Sequence, residues 1–331
     1  MQRIAAPLAL VLASLAFNAA SVAGPINPPA GPVTSTGKTL TEVEPRIAIN
    51  AVNTPGNANN VFVISQPGSY YLTGNVQGVS GKQGILIPAG VNNVTIDLNG
   101  FHLQGVAGSL SGIQLPGNSK NITVRNGVID GWGADGINLS LANGGQIENV
   151  TASNNVGVGI KAGSNMSVSD CSALTNGGFG IRTETDCMVA DSIANGNTKG
   201  IVAGAGTTVR NCVASDNRTD GIEAAGRCVI VNNVATGNGV SAPNGAGIYV
   251  TNSWCRIEGN VLSGADYGLQ IAASSTIVMR NTCSGNSINW SILAGNFVAP
   301  IVQATTNSSA ITGNTYTGNL GSTDANANFT Y

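Results

Sequence analysis

Ionisable side chains are scarce in this 331-residue chain: 14 Lys and Arg and 16 Asp and Glu, 9% of the residues. Six of them nevertheless recur at related positions between residues 161 and 223: Lys161, Arg182, Glu184, Lys199, Asp220 and Glu223. Tyr249 and Tyr267 follow at related positions further along. Mixed charges bind hydroxyls and carboxylates, and aromatic rings stack on sugar rings, so the set suits a saccharide-binding face with Lys161, Tyr249 and Tyr267 as substrate contacts. Two carboxylates about 5–9.5 Å apart serve glycoside hydrolysis, and Asp220 with Glu223 or Glu184 would supply such a pair. β-Elimination of a uronide needs a neutralised carboxylate, a base and an acid. The alternative is a solvated charged face, since exposed ion pairs contribute only about 0–1 kcal/mol each.

These residues can act together only if something brings them together. A Gly followed by an aliphatic residue recurs at Gly84-Ile85, Gly112-Ile113, Gly136-Ile137, Gly159-Ile160, Gly180-Ile181, Gly200-Ile201, Gly221-Ile222, Gly247-Ile248 and Gly268-Leu269, at intervals of 20 to 28 residues. Between them runs a second register of short apolar strands, including Val168-Ser169, Val189-Ala190, Val209-Arg210 and Ile230-Val231. An Asn-rich turn follows at Asn155, Asn176, Asn197, Asn217 and Asn238. Such units carry no helical period and are too short for helical crossovers. One coil cannot bury its apolar face alone, so neighbours must stack. The expected fold is all-β: a single right-handed parallel β-helix (β-solenoid) with an N-terminal cap and a C-terminal capping tail. The repeated asparagines are read as structural, because Asn tolerates left-handed backbone and stacked amides bond along a ladder. Side chains alternate faces along a strand, so the residue after each aliphatic and the residue before each Gly face outward. The charged residues then become neighbours about 4.8 Å apart.

The coils, and the stretch Val94-Thr-Ile-Asp-Leu-Asn-Gly-Phe-His-Leu-Gln-Gly105 that opens them, resemble the pectate-lyase-like superfamily of right-handed β-helices over roughly residues 60–290. Gln66-Pro-Gly-Ser-Tyr-Tyr-Leu72 looks like the N-terminal strand pair and cap of secreted members. The superfamily includes lyases, hydrolases, epimerases and proteins with no known reaction. From its lyases the resemblance implies Arg182 or Lys199 as base and Asp220, Glu223 and Glu184 as oxygen ligands of calcium, the catalytic set being Arg182, Lys199, Asp220 and Glu223. An arginine base needs an unusual environment. The Asn-Thr-Asp, Asp-Asp, Gly-His-Gly and Arg-x-Lys motifs of polygalacturonases are absent. The functional expectation is an exported carbohydrate-active protein, a polysaccharide lyase if an enzyme. The alternative is a noncatalytic surface scaffold or glycan binder.

Residues 1–23 have the layout of a secretory signal peptide: Arg3, an apolar run from Ile4 to Phe17, then Ser21-Val22-Ala23. Residues 24–37 read as a flexible leader, 38–83 as N-terminal strands and cap, 84–287 as coils and 288–331 as the C-terminal cap and tail. A secreted, periplasmic or cell-surface monomer facing a polysaccharide or cell-surface glycan is therefore expected. No membrane span is expected after the signal, and so low a density of Lys and Arg argues against a nucleic-acid partner. Export permits disulfides among six cysteines. Cys228 and Cys255 fall at matching positions of consecutive coils, as a disulfide or as part of a ladder of small buried groups. His102, the only histidine, is expected on the solvent side of a strand.

Overall fold

The computed structural model describes residues 44–239, 243–304, 306 and 322–331. The signal peptide, the leader, and part of both expected caps lie outside the described residues. Each coil contributes three short strands, and each strand pairs in parallel with its counterparts on the coils before and after. On the first face, carrying the Gly-Ile repeat, Ile160 pairs with Ile181, Ile181 with Ile201, Ile201 with Ile222 and Ile222 with Ile248. On the second face Val168, Val189, Val209 and Ile230 are in register. On the third, Ala173, Ala194, Ala214 and Ala235 are. Ile181, Ile201 and Ile222 are all 0% exposed, inside one continuous apolar core. The right-handed parallel β-helix expected from the repeat is the fold of the protein.

Stacking extends past the expected coil boundaries. Asn60–Val63 already pairs with Gln83–Leu86, and Gly68–Tyr71 with Val94–Asp97. At the other end Ile288–Ile292 pairs with Tyr267–Ile271, and Asn328–Thr330 with the strand at Thr282–Ser284. Pairing an edge strand satisfies a row of N–H and C=O groups that would otherwise template association, so the terminal segments do this by adding coils.

The glycine of the repeat is a packing requirement. A Cβ on Gly200 would lie 2.4 Å from the carbonyl oxygen of Gly221 and 2.7 Å from Nδ2 of Asn217. The first strand thus approaches both the next coil and the asparagine ladder too closely for any side chain.

That ladder is buried. Asn176 receives the backbone N–H of Asn155 on Oδ1 at 3.1 Å, Asn197 that of Asn176 at 2.9 Å, and Asn217 that of Asn197 at 3.0 Å. Each Nδ2 in turn donates to a main-chain carbonyl inside, as Asn197 does to Ala173 at 2.9 Å. The left-handed position of this turn is one residue earlier, at Asn154, Thr175 and Asp216. The repeated asparagines are therefore structural through their amides alone, and left-handed backbone is not their reason. A second ladder, Asn233–Asn260–Asn281–Asn328, runs inside the turn between second and third faces. Cys212 and Cys171 continue it: the Cys212 N–H donates to Asn233 and the Cys171 N–H to Ser192.

Candidate functional site

The first face gathers the charged residues, and the ion pairs show how each is used. Lys161 aligns with Arg182 on the next coil, yet its Nζ turns back to Asp135 Oδ2 at 2.7 Å. Asp135 also takes the Val158 N–H at 2.8 Å and the Asn138 amide at 3.0 Å. Lys199 bonds Asp220 Oδ2 at 3.0 Å and Glu223 at shorter range, both on the following coil. Asp220, only 5% exposed, uses Oδ1 to accept the Ala246 N–H at 3.0 Å. The two aspartates thus play one role twice: each caps the next coil's backbone with one oxygen and holds a lysine with the other.

This pairing decides the chemistry. Burial lowers the pKa of Lys199, but the hydrogen bonds that it donates to Glu223 and Asp220, with the charges of those carboxylates, outweigh it and hold the ammonium above its usual range. A base must be neutral before it acts, so Lys199 does not fit the role that the resemblance implied. The calcium set fails as well. Glu184 lies two coils before Asp220 and Glu223 and pairs with Arg182 at 3.7 Å, while Asp220 and Glu223 turn their oxygens to Lys199. Among the described residues no three His, Cys, Asp or Glu side chains gather as metal ligands. The donors present do not fit a calcium ion, because the lysine occupies the position between them. Arg182 is exposed beside Glu184. Tyr249 and Tyr267 are half-buried on the same face, Tyr249 in register with Glu223 and Tyr267 with Ala246.

Cys228 and Cys255 are brought together on consecutive coils as free thiols, with the Cys228 N–H pointing at Cys255 Sγ at 3.4 Å, so of the two alternatives the disulfide is not the one formed. The neighbouring sulfur and burial both push the Cys228 thiol up. Cys187, Thr207, Cys228, Cys255 and Thr276 form the inner column of the corner between first and second faces, each receiving or giving an N–H contact along the stack. The arrangement is that of a ladder. His102 is exposed on its strand, as expected.

A concavity lies on that corner, away from most of the expected site residues. A groove of 670 Å³ runs across five coils and is lined by Asn92, Lys120, Ser140, Asn143, Ser164 and Glu184 together with Ser119. Ser119 is buried at 3% exposure and its hydroxyl makes no hydrogen bond. Glu184 is the only expected site residue in its lining. Amides and hydroxyls dominate the rest, a composition suited to sugar hydroxyls. Asn93 and Asn121, which sit in glycosylation-type Asn-x-Thr triplets, occupy left-handed positions at this corner with φ of 57° each.

Residues 57–253 match the family described as the right handed beta helix region. Among solved structures, the A-modules of the mannuronan C-5 epimerases AlgE4 and AlgE6 from Azotobacter vinelandii align with TM-scores of 0.55 at 16% and 17% identity. Each alignment covers 77% of this chain and 88% of the other. The enzymatically active domain of tailspike protein 2 from bacteriophage CBA120 aligns with a TM-score of 0.51 at 13% identity, over 72% of this chain and 47% of that one. No curated protein matches the sequence. At such identities the likeness is one of fold, and with more than half of its length matching the profile, the chain belongs to the right-handed β-helix family.

Proposed function

We propose that this protein is an exported carbohydrate-active β-helix whose action is to hold an extended polysaccharide along the corner groove. The observation that carries this reading is the groove itself: a polar trough parallel to the coil axis, with the buried, unbonded hydroxyl of Ser119 in its wall. Five coils at about 4.8 Å each give a length suited to several sugar residues. The structural neighbours whose names include mannuronan epimerases are in keeping with a polymeric uronide or related glycan. The signal-like layout of residues 1–23 supports export to a compartment where such a polymer would be met.

The lyase reading keeps Arg182 as its single candidate base, because Lys199 is committed as an ammonium. Binding is favoured over cleavage by the way Lys161, Lys199, Asp135, Asp220 and Glu223 satisfy one another. Affinity electrophoresis through pectate, alginate and a neutral glucan tests the proposal. Retardation in at least one polymer is expected, abolished by Ser164→Trp, which fills the groove, and kept in Arg182→Ala. No retardation in any polymer would overturn it. Unsaturated products from pectate or alginate that disappear in Arg182→Ala would establish the lyase instead.

A further inference from the structure

The corner between first and second faces turns, coil after coil, through one residue with left-handed backbone. Asn93, Asn121, Gly144, Asn165, Asp186 and Gly206 hold this position at φ of 57°, 57°, 76°, 57°, 57° and 76°. These are the residue types for which such backbone is tolerable. The next two coils break the rule. Arg227 takes the position at φ 60° and Trp254 at φ 71°. Two bulky residues in consecutive coils hold a conformation that Gly or Asn would adopt with less strain. Strain of this kind persists where the side chain has a use that the backbone preference opposes.

Both side chains face one concavity. A cavity of 570 Å³ is lined by Ala225, Gly226, Arg227, Asn252, Ser253 and Trp254, and it follows the polysaccharide groove along the same corner. A smaller one of 160 Å³, lined by Thr185, Asp186, Gly206 and Arg227, lies between them. Trp254 is 71% exposed, although it is the most hydrophobic ring available for a core. Arg227 is exposed, and among the described residues its guanidinium makes no ion pair. Asn252, which also lines the cavity, accepts the Ser253 N–H on Oδ1 at 2.8 Å. The small residues Ala205, Ala225 and Gly226 share the lining.

We propose that Arg227 and Trp254 form a clamp for a carboxylated sugar ring. Trp254 stacks on the apolar face of the pyranose, Arg227 takes the carboxylate by two parallel N–H bonds, and Asn252 meets a ring hydroxyl. The inference rests on the polysaccharide reading above and adds to it that the polymer is a polyuronide anchored at this end of the corner. Asp186 lines only the smaller cavity, on the far side of Arg227, so the cavity that Trp254 faces carries net positive charge.

Arg227→Asn and Trp254→Asn test the clamp, because Asn suits the left-handed backbone. Each variant is expected to melt at or above the wild-type temperature while its affinity for polygalacturonate or alginate falls at least tenfold, with binding to a neutral glucan unchanged. A merely structural role would lower the melting temperature instead. Polyuronide affinity unchanged in both variants, with Ser164→Trp still abolishing it, would overturn the clamp and leave the groove standing. Binding of dextran sulfate but of no polyuronide would overturn the carboxylate assignment. Loss of all polymer binding in the wild type would overturn the polysaccharide reading, and the clamp with it.

Discussion

Lys199 stands where two carboxylates of the next coil converge, one of them nearly buried, and that placement gives it a structural duty with a definite pH signature. Its folded pKa lies above the ordinary 10.5, raised by Glu223 and Asp220 against the opposing effect of burial. A group whose pKa rises on folding contributes its full stabilisation below the unfolded value and loses it as pH climbs through the folded one. Lys199→Met should therefore destabilise the protein by about 2 kcal/mol at neutral pH, since it leaves the Asp220 carboxylate buried with one partner fewer. In urea titrations that difference should stay flat up to pH 10.5 and shrink above it. A difference that grows at alkaline pH would contradict the assignment. Thiol chemistry gives a second check at this scale. Burial holds Cys171 up at about 12 and Cys212 at about 11, and thiolate is the reactive form. An aromatic disulfide reagent should therefore react slowly with Cys171 and Cys212 in the native protein and with all six thiols after denaturation; four would mean that one pair, such as Cys228 and Cys255, had joined. The gathering of charges on one face was readable from spacing, because the repeat converts sequence intervals into neighbours. Which charge holds which was not, since Lys161 reaches back to Asp135 when its nearest column neighbour is Arg182. Rotamer choice and the backbone N–H groups of Val158 and Ala246, which Asp135 and Asp220 cap, settle it.

Each coil is built from two constraints that the sequence displays unequally. The Gly-Ile pair is visible as a repeat, and its cause is contact: the glycine has no room for a methyl against the next carbonyl and the ladder amide. Gly200→Ala should accordingly cost about 3 kcal/mol by overpacking, read as a lowered denaturant midpoint. The same change at Gly81, whose Cβ would meet no atom within 4 Å, should act only through its left-handed backbone at φ 76° and cost less. Equal losses at both sites would refute the packing explanation. The ladder Asn155 to Asn238 was legible because one residue type fills every rung. The second ladder was not, because Cys171, Ser192, Cys212 and Asn233 share one column in four coils. What the position requires is a small inward side chain that accepts an N–H, and several residue types meet that. The corner with the groove was hidden for a related reason. Its left-handed position is filled by Asn, Gly, Asp, Arg and Trp in turn, so no repeating letter marks it.

At the scale of the whole molecule, a stack in which each strand pairs with its counterparts on the neighbouring coils lacks contacts between distant coils to unify it. Its stability is the sum of coil terms and interface terms, as in other linear repeat proteins. The middle coils have two interfaces each and the end coils one. The core is continuous from Ile49 to Cys283, but its last strands on the second face, Phe297–Val298, are exposed on both residues. Opening should therefore proceed from the ends. Amide hydrogen exchange should be slowest at Val189, Val209 and Ile230, which are flanked on both sides. It should be fastest at Ile47–Ala48, which pairs on one side with Gly68–Tyr71, and at Phe297–Val298. This gradient bears on function, because the polar groove spans the coils of Asn92 to Glu184 and the Arg227–Trp254 cavity lies just beyond. Both concavities are thus carried by the doubly flanked part of the stack, where a trough for a stiff polymer keeps its shape. A polymer laid across those coils would add contacts between neighbours on the outside of the stack, beside the main-chain bonds, ladders and core that already join them. Protection should then rise in the corner segments around Ser164, Asp186 and Arg227 and stay unchanged at the third-face strands Ser172–Leu174 and Val213–Ser215. A uniform rise over all three faces would mean that ligand binding couples to global unfolding, and that the coils do not open independently.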